Sequence, residues 1–333
     1  MFEDVIYENY GLVMERQETK GTYRRFFSKN VLYTIVPIYE VNENELMDRL
    51  KLSDFMNRQG DPYVSSFVPT IHETFLSESD DTVFLLISNS NLEEPRPLQM
   101  GKKLAKFHSR GRMFTEPLQE CNRIGKWKEL WEERIDRLEN VWREKIQSTP
   151  ANEFERMFVE SFPYFSSMGE NAIQYLVDCE IDDDPSALDA GTVCHERFYN
   201  DLWLGEYLVK NPFDWVFDHH CRDVSEWIRE HYFRFPHTYR PDMVRFVEEY
   251  SYYTPLSSFS WRLLYARLLF PVHYLEAIES YYSSDREDEK RAVEDFLKDY
   301  LQRTHHQEEF LRDFYEILGV PINRLRIPRV DWL

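Results

Sequence analysis

The chain reads as an α+β protein of two lobes, a small antiparallel β-sheet lobe followed by a mostly helical one. Three observations predict this class. Residues 1–90 carry short apolar runs separated by Gly, Lys-Gly and Lys-Asn, the pattern of strands joined by turns. From residue 98 almost to the end, apolar residues recur at helical spacing, as on helices with one buried side. Between them, residues 89–97 are polar and include Pro95 and Pro97, which suits a linker. The expected division is a first lobe at 1–90, a hinge at 91–97 and a helical lobe at 98–333, a length that fits two lobes.

In the first lobe, 5–7, 12–14, 23–27 and 31–38 read as strands, with turns at Gly11, Lys20-Gly21 and Lys29-Asn30. Asn42 and Glu45 form a capping-box pattern that opens a helix running to about Asn57 and closed by Gly60. Leu46, Met47 and Leu50 are its expected buried side. Residues 63–74 and 82–88 read as two further strands, the second a continuous apolar run.

In the second lobe, 98–110 reads as a helix stopped by Gly111, with Gly101, Leu104, Ala105 and His108 on one side. His108 is expected as a packed core histidine. Residues 125–146 form a long helix whose stripe of Trp127, Trp131, Ile135, Leu138 and Trp142 is read as core packing. Shorter helices are expected at 152–162 and 170–177, then a solvated acidic loop at Asp182-Asp183-Asp184. The last part predicts helices at 242–252, 256–270, 274–282 and 286–318, with breaks at Pro271 and Gly319.

The totals exclude several classes. Lys and Arg number 40 against 60 Asp and Glu, a net charge of −20, so nucleic acid and anionic membranes are not expected partners. Only 10 glycines occur, with no G-x-x-x-x-G-K-[ST] and no G-x-G-x-x-G, which argues against a glycine-rich phosphate cradle. Cys121, Cys179, Cys194 and Cys221 are scattered without a C-x-x-C, as expected of reduced thiols in a protein made in the cytoplasm. The start, MFEDVIYENYG, has no apolar core, so no signal peptide is expected. No apolar run is long enough to predict a membrane span.

Chemistry concentrates in 193–230, VCHERFYNDLWLGEYLVKNPFDWVFDHHCRDVSEWIRE. Residues 203–209 and 214–218 read as two short strands turned at Lys210-Asn211-Pro212, and Asp223 falls at the start of a helix, where a carboxylate can cap N–H groups. This layout resembles the catalytic segment of aminoglycoside-phosphotransferase-like kinases. Their pattern runs H-G-D, then Asn, then a strand ending in a metal-binding Asp, then an Asp before a helix. His195 matches the motif His, Asp218 the metal-binding Asp, and Asp223 the structural Asp. Glu196 replaces Gly, Arg197 replaces the catalytic Asp, and Leu202 replaces Asn. The third strand, NVLYTIVPI, lacks the Lys that the resemblance places there, with Ile35 or Val36 in its position. Glu43 or Glu45 is then expected as an ordinary cap acid rather than the partner of that Lys.

A general base must accept a proton or a hydrogen bond, whereas Arg only donates and stays charged. Arg197 therefore cannot replace the Asp, and Asp218 is left as a possible metal ligand with Asp201 a weak second. His195 and Asp223 are expected to brace the loop.

Three stretches outside this segment, GKKLAKFHSRG, IGKWKELWEERIDRL and SWRLLYARLLFPVHYLEAIESYY, are similar to the bacterial spore-coat kinase-like family of the CotS type; the catalytic segment is similar to its YutH branch. The resemblance implies a bilobal kinase-like fold, deposition in the spore coat, and other coat proteins as partners. Three readings compete. The first is a non-catalytic structural or interaction component with no cofactor. The second is a divergent phosphotransferase using Mg-ATP on a small molecule or coat protein. The third is a metal site drawn from Cys194, His195, His219, His220 and Cys221, although zinc-like ligand spacing is missing.

Overall fold

The computed structural model describes residues 2–18, 23–39, 42–79, 82–94 and 99–330. The expected turn at Lys20-Gly21, the two linker prolines and Leu98 lie outside them. The chain packs as two compact units. One comprises Met1–Arg123, Gly191–Asp223 and Glu249–Thr254; the other comprises Ile124–Ala190, Val224–Glu248 and Pro255–Leu333.

The first unit opens with a helix, α1 (Phe2–Tyr10), where 5–7 was expected as a strand. Phe2, Ile6 and Tyr10 share one helical face, and the last two are buried against Phe26, Ile35, Phe84 and Leu86. A run of three apolar residues cannot separate a period of two from one of 3.6. Gly11, at φ +65°, ends the helix and donates its N–H to the Tyr7 carbonyl at 2.9 Å. The expected strand at 12–14 is irregular chain; Leu12 and Met14 pack on the same apolar cluster.

Strands β1 (Arg16–Glu18), β2 (Arg24–Ser28), β3 (Val31–Pro37), β4 (Ser66–Val68), β5 (Leu76–Ser79) and β6 (Thr82–Asn89) form one antiparallel sheet, ordered β1-β2-β3-β6-β4. β4 and β5 share an edge of β6, Val68 opposite Leu86 and Leu76 opposite Leu85. The strand expected over 63–74 is short because Pro69 has no N–H to give, and Thr70 turns the chain by donating to the Thr74 carbonyl at 2.7 Å.

On the sheet face away from α1, Val36, Phe67, Leu85 and Ile87 pack with Leu46 and Leu50 of α2 (Glu43–Arg58). Asn42 caps α2, accepting the Glu45 N–H at 3.1 Å. Met47 is exposed, contrary to expectation, because it lies one helical step off the inner stripe that continues through Asp48, Leu52 and Met56. Buried Asp48 accepts the backbone N–H groups of Gln119, Glu120 and Cys121 at 2.7–3.0 Å, which ties α2 to that loop.

Helix α3 (Met100–Gly111) packs against the start of the central segment. Gly111 is needed for close approach rather than as a left-handed stop: a Cβ there would lie 2.6 Å from the Val193 nitrogen and from Thr192 Oγ1. Those residues begin β7 (Thr192–His195), which pairs antiparallel with β8 (Trp215–Asp218). The strand expected at 203–209 does not form; the wholly buried β7 takes the ladder of β8, and 199–209 is turns and irregular chain.

The second unit is helical. α4 (Trp127–Lys145) packs on α5 (Glu153–Asp182), a single helix where two were expected. Pro163 inside α5 cannot donate to the Val159 carbonyl, and the Trp142 indole N–H fills that acceptor at 3.1 Å. The tryptophan stripe is core, with Trp131 stacked on Phe270 at 4.4 Å. Asp182 and Asp183 are not simply solvated: both pair with buried Arg262, at 3.1 and 3.2 Å. Then follow α6 (Cys221–Arg234), which starts in the first unit, and α7 (Tyr239–Tyr253), whose last residues return to it. The remaining helices are α8 (Ser258–Leu269), α9 (Val272–Ser283), α10 (Glu287–Gln302), α11 (Thr304–Ile317) and α12 (Ile322–Leu325). The helix expected over 286–318 breaks at Arg303, and α10 and α11 keep the same apolar period across the break, which hides it from a pattern reading.

Candidate functional site

The end of β7 and the start of α6 bring the motif residues together. Asp223 is fully buried. Its Oδ1 accepts the His195 backbone N–H at 2.8 Å, and its Oδ2 meets His195 Nδ1 at 2.7 Å and His108 Nε2 at 3.0 Å. An ionised carboxylate only accepts, so both imidazoles donate those N–H groups. That leaves His108 Nδ1 to accept from the Tyr250 hydroxyl, 2.7 Å away. Burial works to raise the Asp223 pKa, but the interaction with His195 and the hydrogen bonds from both rings outweigh it and hold the carboxyl well below its usual range. Burial lowers the His108 pKa against the pull of Asp223. Asp223 is therefore not the helix cap expected of it; its oxygens serve the two histidines. His108 is core, as expected, and also part of this brace.

Asp218, at the end of β8, is neutralised differently. Its Oδ1 accepts the His219 N–H at 2.7 Å, and its Oδ2 pairs with the Arg222 guanidinium at 2.9 Å. The same guanidinium donates to the His195 carbonyl at 2.9 Å and the Glu196 carbonyl at 3.1 Å, and meets the Glu196 carboxylate at 3.2 Å. A buried cation of the chain itself thus sits on the carboxylate expected to hold a metal. Motif matching passed over Arg222, which reaches Asp218 across the short turn between β8 and α6, four residues on in the chain.

The other expected positions lie in different settings. Arg197 is half-buried, its guanidinium 6.0 Å from the Tyr199 ring centre. Leu202 donates its N–H to the Tyr199 carbonyl at 3.1 Å in a turn that leaves Asp201 exposed. Val36 is 2% exposed, inside the apolar cluster beneath α2 with Leu85 and Phe213. Glu45, the candidate partner of a strand lysine, pairs with Arg49 of its own helix. A buried lysine does exist elsewhere: Lys210 Nζ pairs with Asp61 at 2.6 Å and lies 4.6 Å from the Trp203 ring centre.

Among the described residues, two sets of potential metal donors have their ligand atoms within 4.8 Å of one another, His219-His220-Cys221 and His108-Cys194-Asp223. The five residues expected to converge are thus divided, with Cys194 beside His108 and Asp223, and His195 bonded to Asp223. No helix among the described residues is long and apolar enough to cross a membrane.

The sheet, the helical remainder and this segment define a kinase-like protein with the aminoglycoside-phosphotransferase fold. A crystal structure of an aminoglycoside phosphotransferase from Alicyclobacillus acidocaldarius matches 95% of this chain and 96% of its own, with a TM-score of 0.65 at 12% identity. A spectinomycin phosphotransferase in complex with ADP and spectinomycin matches at TM-score 0.59 and 13% identity, over 90% of this chain and 93% of that one. Within that class the family is also defined. The family model described as "Spore coat putative kinase YutH" matches residues 3–314, and the chain belongs to that family. It is 40% identical to the endospore coat-associated protein YutH of Bacillus subtilis, over 100% of this chain and 98% of the relative.

Proposed function

We propose that the chain is a non-catalytic, kinase-like component of the spore coat, made in the cytoplasm, deposited in the coat and working through contacts with other coat proteins. The coat assignment is supported by the full-length likeness to a coat-associated relative. One observation carries the non-catalytic reading: Arg222 is ion-paired with buried Asp218. Phosphoryl transfer relies on a metal bridging to the phosphates, a cation on the third strand and an acceptor for the attacking hydroxyl. Here a guanidinium holds the metal carboxylate, Val36 stands on the strand, and Arg197 stands at the acceptor position. This set does not fit a metal–nucleotide complex. The competing phosphotransferase reading requires Asp218 to leave Arg222 and bind metal.

Thermal melting with and without Mg-ATP separates the two, because a ligand that binds only the folded state raises the midpoint. The expected outcome is no shift at millimolar nucleotide. A rise that Asp218→Asn abolishes would show Asp218 holding a metal–nucleotide complex, and phosphate transfer measured beside it would establish the phosphotransferase. A fluorescent fusion followed through sporulation tests the location, and one that stays diffuse in the mother cell overturns the coat role.

A further inference from the structure

We infer that the chain closes its own nucleotide cleft: residues 203–210 form a strap lying where this fold would otherwise receive a purine nucleotide. The inference rests on the non-catalytic reading above and explains it at the level of binding. In kinase-like folds the nucleotide lies against the first strands, with the third strand and the stretch after the last strand beside it. The strap touches two of these elements, the first two strands and the stretch after the last strand. The Tyr207 ring meets Phe27 of β2 edge-on, with centroids 6.0 Å apart, and its hydroxyl reaches Arg16 of β1 at 3.4 Å. Glu206 adds negative charge near Arg25 of β2. Beyond β6, the Glu93 carbonyl, an acceptor a bound nucleotide could use, takes the Leu208 N–H at 2.9 Å.

Both ends of the strap are pinned. Trp203 is buried against Phe107, Phe198 and His195, with ring centroids 4.9–5.5 Å away. At the other end, Lys210 gives its N–H to the Tyr63 carbonyl at 2.9 Å and accepts the Ser65 N–H at 3.0 Å. Its ammonium is 5% exposed and held by Asp61 at 2.6 Å. Swinging the strap out would expose an indole and break a buried ion pair, so a nucleotide gains no easy entry.

The test is isothermal titration of ADP and ATP, with and without Mg, into the full chain and into the double variant Tyr207→Gly, Leu208→Pro. The variant removes the ring beneath Phe27 and the N–H given to Glu93. The wild-type chain is expected to bind nothing at millimolar nucleotide, and the variant to bind about tenfold or more tighter than that limit. Nucleotide binding by the wild-type chain, or a folded variant that binds none, overturns the strap. Should the variant fail to fold, hydrogen exchange on the wild-type chain decides. The Leu208 amide is expected to exchange about a hundredfold or more slowly than open chain, and free exchange there overturns the proposal. Wild-type binding without turnover sinks the strap alone; turnover sinks the non-catalytic reading with it.

Discussion

Asp218 and Asp223 lie close together in the chain, both buried, and they are satisfied by opposite means. Asp223 collects N–H groups from two histidines and one backbone amide, and those bonds join α3, β7 and the start of α6. Asp218 is matched by a full positive charge, and the Arg222 guanidinium also donates to the carbonyls of His195 and Glu196. The first arrangement is what any buried loop needs in order to hold its shape. The second uses an internal cation at the place where a working site would keep a carboxylate open for metal. One carboxylate is thus held by neutral donors that fix the backbone, the other by a cation of the chain itself.

The sharpest way to break this comparison is Asp223→Ala. It leaves three buried donors without an acceptor and is expected to cost about 4 kcal/mol in urea denaturation. A loss below about 1 kcal/mol would mean that the brace is not structural. Next come Asp218→Asn and Arg222→Met. Each alone leaves a buried charge poorly matched and is expected to cost about 2–3 kcal/mol, with the double variant recovering about 1–3 kcal/mol of the sum. Strict additivity would show that the pair does not interact.

A smaller effect follows from pH. The His108 pKa is lowered in the folded state by burial, so the unfolded chain takes up this proton first as pH falls. The stability is intact above the ordinary histidine value and declines as pH falls through it, by at most about 1 kcal/mol between pH ~6.5 and ~5.5. Asp223, held low, stays ionised across that window and adds nothing to the slope. His108→Asn should flatten the decline in part, since burial lowers the His231 pKa as well. An unchanged slope would remove His108 from the account. The smallest expected effect is that of Arg197→Asp, which should yield no phosphotransfer, because Val36, Leu202 and the Asp218–Arg222 pair remain. Measured turnover by that single variant would show that the other positions had been misjudged.

How much of this was legible in the sequence depends on the kind of information involved. The α+β class, the helical remainder, the α2 cap at Asn42 and the altered motif positions Arg197, Leu202 and Val36 are matters of residue type and local spacing, and could be read directly. Local spacing failed at α1, where three apolar residues fit either period, and at α5, where Pro163 ordinarily ends a helix. The proline is tolerated because an indole from α4 supplies the missing hydrogen bond.

The sequence by itself determined which chemical groups the catalytic segment contains and which it lacks. Tertiary structure alone decided which of them meet: Arg222 on Asp218, His108 on Asp223, and the strap of Tyr207 and Leu208 against β2 and the Glu93 carbonyl. The physical reason is that hydrogen bonds and buried ion pairs act over a few ångströms between groups far apart in the chain. Their partners are therefore set by packing, which no local pattern records.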